Sequence, residues 1–342
     1  MTALRVLSAG PGVTVQDAGF RGTLGLGLSA GGVADPLAMA EGAALLGQGP
    51  GAAMVELAGS GAVFEAGDGP VWLAVTGAEM QASLGDKRLP GGASGRLEPG
   101  QRLTLGAPRD GGYGYLHLAG GVAAPVRLGS RSTHLQGGMG RALKAGDRLL
   151  LLPHRGPERA LLIDPLPRLG GGMLRVIVGP QTGLFPVELR DRFAATRFRR
   201  DARANRQGMR LAHDGPGFAP PGGLSVLSDA VGPGDVQIGG DGVPVILLAE
   251  CQTTGGYPRI GTVIPADLPR AAQAMAGAPL QFRFVGTQEA LAAERDMRAQ
   301  IAALSGRLRP LLRDPREISD LLSYQLVGGV TDGADDAQEW QW

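Results

Sequence analysis

Glycine and proline interrupt this sequence so frequently that long helices are excluded over most of its length. The 342 residues include 58 glycines and 25 prolines, with neither a collagen-like period nor a low-complexity tract. They stand singly between short apolar runs such as VWLAVTGAEM (71–80) and YGYLHLAGGV (113–122). Short β-prone runs bounded by turn residues are typical of strands joined by tight turns. The sequence therefore predicts a mainly β protein.

The strand-rich pattern occurs twice, on either side of a stretch rich in Pro, Gly and Arg. The order of strand, turn, short helix and further strands is repeated, and the turns in RLEPGQRLTL and RALKAGDRLLL resemble each other as corners of a barrel would. We therefore expect two tandem β-barrels. We place the first domain at residues 1–155, a linker at 156–173, the second domain at 174–286, and a helix with an acidic tail at 287–342.

Three stretches predict helices among the strands. In ADPLAMAEGAALLG, Asp35 is positioned to cap a helix, Pro36 suits its first turn and Gly47 ends it. A short helix is expected around Phe185–Phe193, and the one longer helix opens at Thr287. The apolar stripe of the longer helix recurs at intervals of three or four residues and consists of Ala290, Ala293, Met297, Ile301, Leu304 and Leu308.

Composition and charge exclude several classes of protein. A hydrophobic fraction of 43% with 19% charged residues describes a globular chain with a substantial core. The net charge is +1 and no basic stripe alternates with aromatic residues, so we expect no nucleic-acid partner. No apolar run approaches about 18 residues and the first residues do not resemble a signal peptide, which predicts a cytoplasmic protein without a membrane span.

Motifs for common catalytic and cofactor chemistry are missing from the sequence. There is no P-loop, and GLGLSAGG lacks both the spacing and the βαβ context of a dinucleotide fingerprint. The four histidines are scattered and Cys251 is the only cysteine, so neither a disulfide nor a metal cluster is expected. Without a histidine near it in sequence, Cys251 is more consistent with a small buried residue than with a thiolate nucleophile.

Five polar, glycine-flanked stretches at predicted strand ends are the candidates for a binding site. They are VQDAGFRG (15–22), LGSRSTHLQGGMGRALKAGD (128–147), NRQGMRL (205–211), DVQIGGDGVP (235–244) and LLAECQTTGGYPRIGTVIPADL (247–268). Each alone is a common pattern for a capped turn, but together they offer amides, hydroxyls and arginines suited to a planar polar group. The predicted substrate-binding residues are Gln16, Asp17, Arg21, Ser130, Arg131, Ser132, Thr133, Arg206, Arg210, Gln237, Asp241, Gln252, Thr253, Thr254, Gly255, Gly256 and Tyr257. No catalytic residue is assigned.

The last stretch is interpreted as a strand that leaves a barrel core and presents polar side chains to a pocket. Gln252, Thr253 and Thr254 would face the ligand, while Gly255 and Gly256 would let the backbone approach closely.

Two interpretations are open for the arginines in these stretches. Arg131, Arg206 and Arg210 either supply a bidentate fork for a substrate carboxylate or tie loops together through hydrogen bonds to carbonyl groups.

A family resemblance is carried by four segments: TVQDAGFRG, GSRST, NRQGMRL and VQIGGDGVPVILLAECQTTGGYPRIGTVIPADL. Together they resemble the biotin-dependent carboxyltransferase family, also called the KipA family, which includes the C subunit of 5-oxoprolinase and allophanate hydrolase subunit 2. The resemblance runs in order over most of residues 4–285 and implies tandem cyclophilin-like β-barrels. The sequence departs from the family pattern at Gly31-Gly32, where Ser-Gly is usual, at Gly42-Ala43, where Ala-Asn is usual, and at Glu250, where Asp is usual.

The resemblance implies one subunit of an ATP-dependent 5-oxoprolinase, which opens the lactam of 5-oxoproline to glutamate. ATP would be bound by, or shared with, a partner subunit, because this chain has no recognisable ATP loop. The implied partners are a smaller subunit, similar to the B subunit of 5-oxoprolinase or to allophanate hydrolase subunit 1, and a further subunit. Two alternatives stay open: carboxyl transfer to urea or a similar amide from carboxybiotin on a separate carrier, and a non-catalytic regulator that binds a kinase inhibitor.

Overall fold

Twenty strands and four α-helices make up the part of the chain that the structure, a computed structural model, describes: residues 2–223 and 225–312. The strands form two large units that follow each other along the chain, with a small two-stranded sheet beside the second. A mainly β protein with two strand-rich units in tandem is thereby confirmed. The predicted acidic tail after Gly328 lies outside the described residues.

The first unit is an 11-stranded sheet in which all pairs are antiparallel. Its first ten strands are β1 (Ala3–Ala9), β2 (Val13–Gln16), β3 (Met54–Ala58), β4 (Ala62–Ala66), β5 (Val71–Leu84), β6 (Lys87–Leu89), β7 (Ala93–Leu97), β8 (Arg102–Leu118), β9 (Arg148–Leu150) and β10 (Leu161–Leu162). The long strand β8 pairs with β5 on one side, and on the other side with β4 near its start and β3 near its end. The sheet therefore branches, and β2 and β9 each pair with a single strand.

The second unit closes into a barrel of seven strands. The strands of this part of the chain are β11 (Gly172–Ile177), β12 (Phe198–Ala204), β13 (Gly208–Ala212), β14 (Asp229–Ala230), β15 (Asp235–Ile238), β16 (Pro244–Leu247), β17 (Thr254–Gly255), β18 (Arg259–Val263) and β19 (Pro279–Phe284). The barrel order is β11, β18, β15, β16, β13, β12 and β19, and a parallel pairing of β19 with β11 closes it. The remaining two strands, β14 and β17, pair with each other.

Three of the four described helices lie in the stretches that the sequence predicts, and the helix at Leu268–Gln273 was not predicted. They are α1 (Pro36–Leu45), α2 (Val187–Ala195), α3 (Leu268–Gln273) and α4 (Thr287–Ala302), with 3₁₀ turns at Leu24–Leu26, Thr182–Leu184, Pro265–Asp267 and Leu304–Arg307. Asp35 caps α1 as expected, because its carboxylate accepts hydrogen bonds from the N–H groups of Leu37 and Ala38 at 3.0 and 3.1 Å. The predicted start at Thr287 is confirmed, but the last two residues of the predicted stripe lie beyond α4, which ends at Ala302.

Phenylalanine rings fill the interior of the barrel. Phe193 of α2 stacks on Phe282 with 4.6 Å between ring centroids and meets the edge of Phe218 at 5.5 Å. All three rings are no more than 1% exposed. Offset and edge-to-face ring pairs of this kind stabilise a core beyond their apolar area, so α2 closes the barrel interior.

Part of the predicted linker at 156–173 belongs to the first sheet. Strand β10 pairs with β7 and also with β20 (Arg309–Pro310), which follows α4. Leu161 and Ile163 are 2% and 1% exposed, and both pack in the cluster that surrounds α1. Burying two aliphatic side chains is worth roughly 3–6 kcal/mol, which explains why this stretch is held in the sheet. The chain that follows the barrel therefore returns to the first unit.

Candidate functional site

The two units meet along a seam that a backbone hydrogen bond crosses. The N–H of Gly31 in the first unit donates to the carbonyl oxygen of Ala249 in the second, at 3.0 Å. We define the seam as residues 29–34 of the first unit together with Arg206 and Glu250 of the second. It therefore joins the Gly-rich loop before α1 to the segment that follows β16.

Arg206 lies in the seam as a buried cation between two buried carboxylates. Its Nε donates to Glu250 at 2.5 Å, its Nη1 donates to Glu56, and its Nη2 donates to the carbonyl oxygen of Gly32. The side chains of Arg206, Glu56 and Glu250 are 7%, 0% and 2% exposed. Burial lowers the pKa of Arg206, but the two glutamates raise it by more, and the net direction is upward. The guanidinium therefore keeps its charge and holds the two units together.

Tyr115 connects this cluster to the start of α1. Its hydroxyl donates to Glu56 at 2.7 Å and accepts the N–H of Asp35 at 2.9 Å. Burial, and then the nearby charge of Glu56, raise the pKa of Tyr115 well above its ordinary value. The phenol is therefore protonated and acts as a donor to the carboxylate.

A second buried cation, Arg168, joins α1 to the chain that leads into the barrel. Its Nε donates to Asp35 at 2.5 Å, and its two Nη atoms form a fork on Glu41 at 2.8 and 2.7 Å. Gln273 of α3 donates from the barrel side to the same Asp35 at 2.7 Å. Burial raises the pKa of Glu41 above its ordinary value, and Arg168 offsets only part of that shift.

The connected network has more acids than bases. Its buried charged side chains are Asp35, Glu41, Glu56, Glu250, Arg168 and Arg206. Each guanidinium group is shared by two carboxyl groups, so the four acids exceed the two cations by two. Coulomb repulsion in a low-dielectric interior therefore makes the seam unfavourable for an anionic ligand.

His134 packs against the seam as a neutral ring. Its Nδ1 accepts the N–H of Gly137 at 3.0 Å, which requires the proton to be on Nε2, and Nε2 lies 3.0 Å from Ser29 Oγ. Burial lowers the pKa of His134, and Glu250, whose oxygen lies 3.9 Å from Nδ1, offsets only part of the shift. In this tautomer His134 donates to Ser29 and cannot take its proton, so the pair is not an activated nucleophile.

Six of the predicted site residues gather around one carboxylate in the first unit. Asp17 accepts hydrogen bonds from Ser130 Oγ at 2.5 Å, from Ser132 Oγ at 2.7 Å and from the N–H of Arg131 at 2.7 Å. Gln16 is fully buried and donates to the carbonyl oxygen of Thr133. The predicted grouping of the two stretches is thus observed as a loop anchor, and its contact with a substrate stays a prediction.

The predicted QTTGG segment lies over the outer face of strand β15. Gln252 Nε2 donates to Gln237 Oε1 at 3.0 Å, while the Nε2 of Gln237 is buried without a hydrogen-bond partner in the described structure. A Cβ at Gly255 would lie 2.4 Å from that Nε2, whereas one at Gly256 would meet nothing closer than 3.4 Å. The backbone at Gly255 therefore approaches Gln237 closely, and the expected approach of Gly255 and Gly256 to a ligand stays a prediction. Beside them Thr253 is half-buried, Thr254 is exposed, and Tyr257 is 47% exposed.

The other predicted arginines lie apart from one another. Arg210 pairs with Asp241 on the barrel surface, and their side chains are 25% and 52% exposed. Arg131 donates to the carbonyl oxygen of Ala124, and Arg21 is exposed. The structure therefore shows Arg131, Arg206 and Arg210 bonded to protein groups and does not bring them together as one carboxylate clamp.

Three acidic residues of the network were not predicted from sequence. Glu56 sits in the apolar strand MVELA and Glu41 in the apolar helix PLAMAEGAAL. A single carboxylate in an otherwise apolar element is a usable signal, because it is buried and therefore needs a cationic partner. Glu250 stands out in the sequence only as a departure from the family pattern. Its cation, Arg206, is 44 residues away.

Other reactive groups are inert or missing in the part of the chain described. Cys251 is 3% exposed and burial raises its pKa to about 11, so its thiol is protonated as the buried-residue interpretation requires. Residues 2–223 and 225–312 contain no group of three or more His, Cys, Asp or Glu side chains placed to hold a metal ion. None of the helices in these ranges is long and apolar enough to cross a membrane.

Comparison with known proteins places this geometry in a family. The family model of the carboxyltransferase domain, subdomain A and B, matches residues 26–284. The C subunit of 5-oxoprolinase from Escherichia coli K12 is 35% identical over 311 residues, which cover 89% of this chain and 98% of that protein.

Longer proteins match over a part of their length. The putative urea carboxylase of Emericella nidulans is 28% identical over 87% of this chain, which spans 25% of that protein. The crystal structure of the K. lactis urea amidolyase has the same fold, with a TM-score of 0.79 at 24% identity. That match covers 92% of this chain and 21% of the amidolyase chain.

Proposed function

Because the chain belongs to the family of carboxyltransferase domains with subdomains A and B, we propose that it is one subunit of an ATP-dependent 5-oxoprolinase. The complex would open the lactam of 5-oxoproline to glutamate. The observation that carries this proposal is the extent of the match to the C subunit of 5-oxoprolinase, which is nearly end to end, whereas a quarter of the urea carboxylase is matched. The match to the 5-oxoprolinase subunit also has the higher sequence identity, 35% against 28%.

The Gln237–Gln252 pair supplies the polar chemistry that a lactam requires. Opening an amide needs its carbonyl oxygen polarised by hydrogen-bond donors that are already fixed in place. Gln237 Nε2 is a donor of this kind, because it is buried without an acceptor in the described structure and its carboxamide is oriented by Gln252. Gly255 of β17 lies against this carboxamide, and β14 and β17 pair with each other and with no other described strand. In this proposal a displacement of these two strands admits the lactam oxygen to Gln237.

Partner subunits would supply the reactive groups. In the described structure the thiol of Cys251 is protonated, and Ser29 accepts a hydrogen bond from His134 instead of losing its proton to it. The chain thus binds and orients an amide better than it activates a nucleophile. This supports a role that depends on other subunits.

The seam does not fit the triphosphate of ATP. The phosphates would face the excess of carboxyl groups around Arg206, and all three nitrogens of that guanidinium already bind protein oxygens. ATP used by the complex is therefore proposed to bind away from the seam.

Reconstitution with the products of neighbouring genes tests the proposal. The mixture should form glutamate and ADP when 5-oxoproline and ATP are added, and omission of this chain should abolish both products. The double variant Gln252→Ala/Thr254→Ala should retain its melting temperature and lose most of the activity, while Arg109→Ala, an exposed residue, serves as the matched control. Full activity without this chain, or full activity with the double variant, would contradict the proposal.

Carboxyl transfer is the second candidate, favoured by the family description and the urea carboxylase match. The free Nε2 of Gln237 also fits a ureido oxygen, so Gln237 and Gln252 would hold biotin from a separate carrier. When bound, carboxybiotin would supply an activated carboxyl group. The candidates separate experimentally, because avidin should inhibit a biotin-dependent activity and leave 5-oxoproline cleavage unchanged.

A further inference from the structure

A cleft of about 750 Å³ opens in the first unit, on the other side of the loop that carries His134. It lies between β2 and β9, each of which has one neighbour among the described strands, and Val15 and Leu149 line it from the two sides. Coil segments occupy the remaining strand edges. Thr133 donates its N–H to Val15 O, and Ala123 donates to Leu150 O, both at 2.8 Å. The cleft is therefore the space left where the sheet does not close.

The rim of this cleft is basic. Arg127, Arg131 and Arg148 line it, and none of them takes part in the ion pairs formed among residues 2–223 and 225–312. A fourth arginine, Arg141, is neutralised by a bidentate pair with Asp147, both bonds being 2.7 Å. The cleft therefore has three arginines that form no ion pair within the described structure. We name it the arginine cleft.

The arginine cleft has an apolar floor. Val15 and Leu149 are 6% and 5% exposed, and Val122 and Leu143 complete the floor. Its volume falls within the range of about 300–1,000 Å³ that is usual for sites of drug-sized ligands. An apolar floor with a cationic rim suits a ligand that has an uncharged body and an anionic end.

The rim is held in position before any ligand arrives. Asp17 fixes the backbone of Arg131 through the bonds described above, and the side chain of Arg131 bridges to the opposite wall at Ala124. Arg127 begins a tight turn in which Leu128 and Gly129 have φ of 46° and 81°. A leucine with positive φ is strained, and such strain is kept where the surrounding structure defines the turn.

From this combination we propose that the arginine cleft binds an organic phosphate of about nucleotide size. The phosphate groups lie among Arg127, Arg131 and Arg148, and the body lies on the apolar floor. Arginine forks match phosphate oxygens, and the positive rim contrasts with the acidic seam across the same loop. The proposal concerns a different surface from the lactam site and does not depend on the reaction proposed above.

Calorimetric titration of the full chain without its partners tests the proposal. ATP, inorganic pyrophosphate, adenosine, 5-oxoproline and glutamate are the probes, each at low and high NaCl. We expect ATP to bind at one site, pyrophosphate to bind more weakly, and adenosine not to bind. The affinity for ATP should fall as NaCl rises, and hydrogen exchange should slow in residues 122–150 when ATP is bound.

Paired substitutions assign the site. Arg127→Ala/Arg148→Ala should weaken ATP binding at least tenfold at an unchanged melting temperature, because both side chains are exposed and outside the ion pairs of the described structure. Arg109→Ala/Arg295→Ala removes the same charge elsewhere and should change the affinity less than twofold.

Several results would overturn the proposal: no ATP binding, equal losses in both double variants, protection at the seam instead of the cleft, or binding of adenosine or the carboxylates in place of ATP. Because binding is measured on the isolated chain, a failure to reconstitute 5-oxoprolinase would leave this test unaffected.

Discussion

Replacing Arg206 with methionine should leave two buried carboxyl groups without a cation and destabilise the protein strongly at neutral pH. Glu56 and Glu250 are 0% and 2% exposed and would lose their shared cation. Breaking a buried pair in this way costs about 3–5 kcal/mol. The alternative, uptake of a proton by an ordinary glutamic acid at pH 7, costs about 4 kcal/mol per group. We therefore expect the variant to lose about 3–7 kcal/mol in its free energy of unfolding.

The loss should shrink at lower pH. In the folded variant the two carboxyl groups are neutral, whereas in the unfolded chain they are ionised above roughly pH 4.3. Folding then takes up protons, so the variant's stability relative to the natural protein falls as pH rises. At pH 5 the cost of proton uptake is about 1 kcal/mol per group, which is about 2.7 kcal/mol less than at pH 7.

Urea unfolding followed by circular dichroism at pH 5, 6 and 7 measures both effects. The control, Arg283→Met, removes an arginine from the exposed pair with Glu289 and should cost at most about 1 kcal/mol at each pH. If Arg206→Met does not fold, adding Glu56→Gln and Glu250→Gln should restore folding and remove the pH dependence. A loss below about 1 kcal/mol at pH 7, or a loss that is the same at pH 5 and 7, would refute the reasoning.

Single side chains give three further predictions. Gly42→Ala should lower the melting temperature despite the better helix propensity of alanine, since its Cβ would lie 2.2 Å from the His117 ring; adding His117→Ala should recover the loss. Glu41→Gln should flatten the pH dependence of the urea midpoint above pH 4.5. Because the pKa of Glu41 is raised in the folded state, its contribution to stability is present below pH 4.5 and is lost as the pH rises through the folded-state pKa. An unchanged slope of the urea midpoint against pH would contradict this. Gly255→Ala should reduce the activity of the reconstituted complex at least tenfold with folding intact, whereas Gly256→Ala should leave it within twofold, and equal effects would exclude the close approach as the cause.

Local signals in the sequence were sufficient for α1, for the start of α4 and for the strand-rich character of the chain. The start of α1 follows from Asp35 and Pro36, because a capping side chain and a residue with fixed φ act on the next turn of the chain. The strand-rich character follows from the glycine spacing in the same way. Cys251 was interpreted correctly as buried, since an apolar run leads directly into it.

The arrangement of the site was decided by tertiary structure. Arg206 is 150 residues from Glu56 and 44 residues from Glu250 in the sequence, and the spacing of these residues does not predict that they pair. From the sequence, Arg206 could bind a substrate carboxylate. In the structure it is buried between two carboxylates, and all three of its guanidinium nitrogens donate to protein oxygens.

The sequence by itself determined that the chain is rich in strands, where three of the four described helices lie and which polar stretches stand at strand ends, because propensity, capping and turn chemistry act over a few residues. Only the folded structure decided that the predicted linker joins the first sheet, that this sheet branches and leaves a basic cleft beside β2, and that the seam is acidic. These properties depend on which distant segments of the chain come into contact. The free energy of burying a charge is set by the neighbours that folding brings to it.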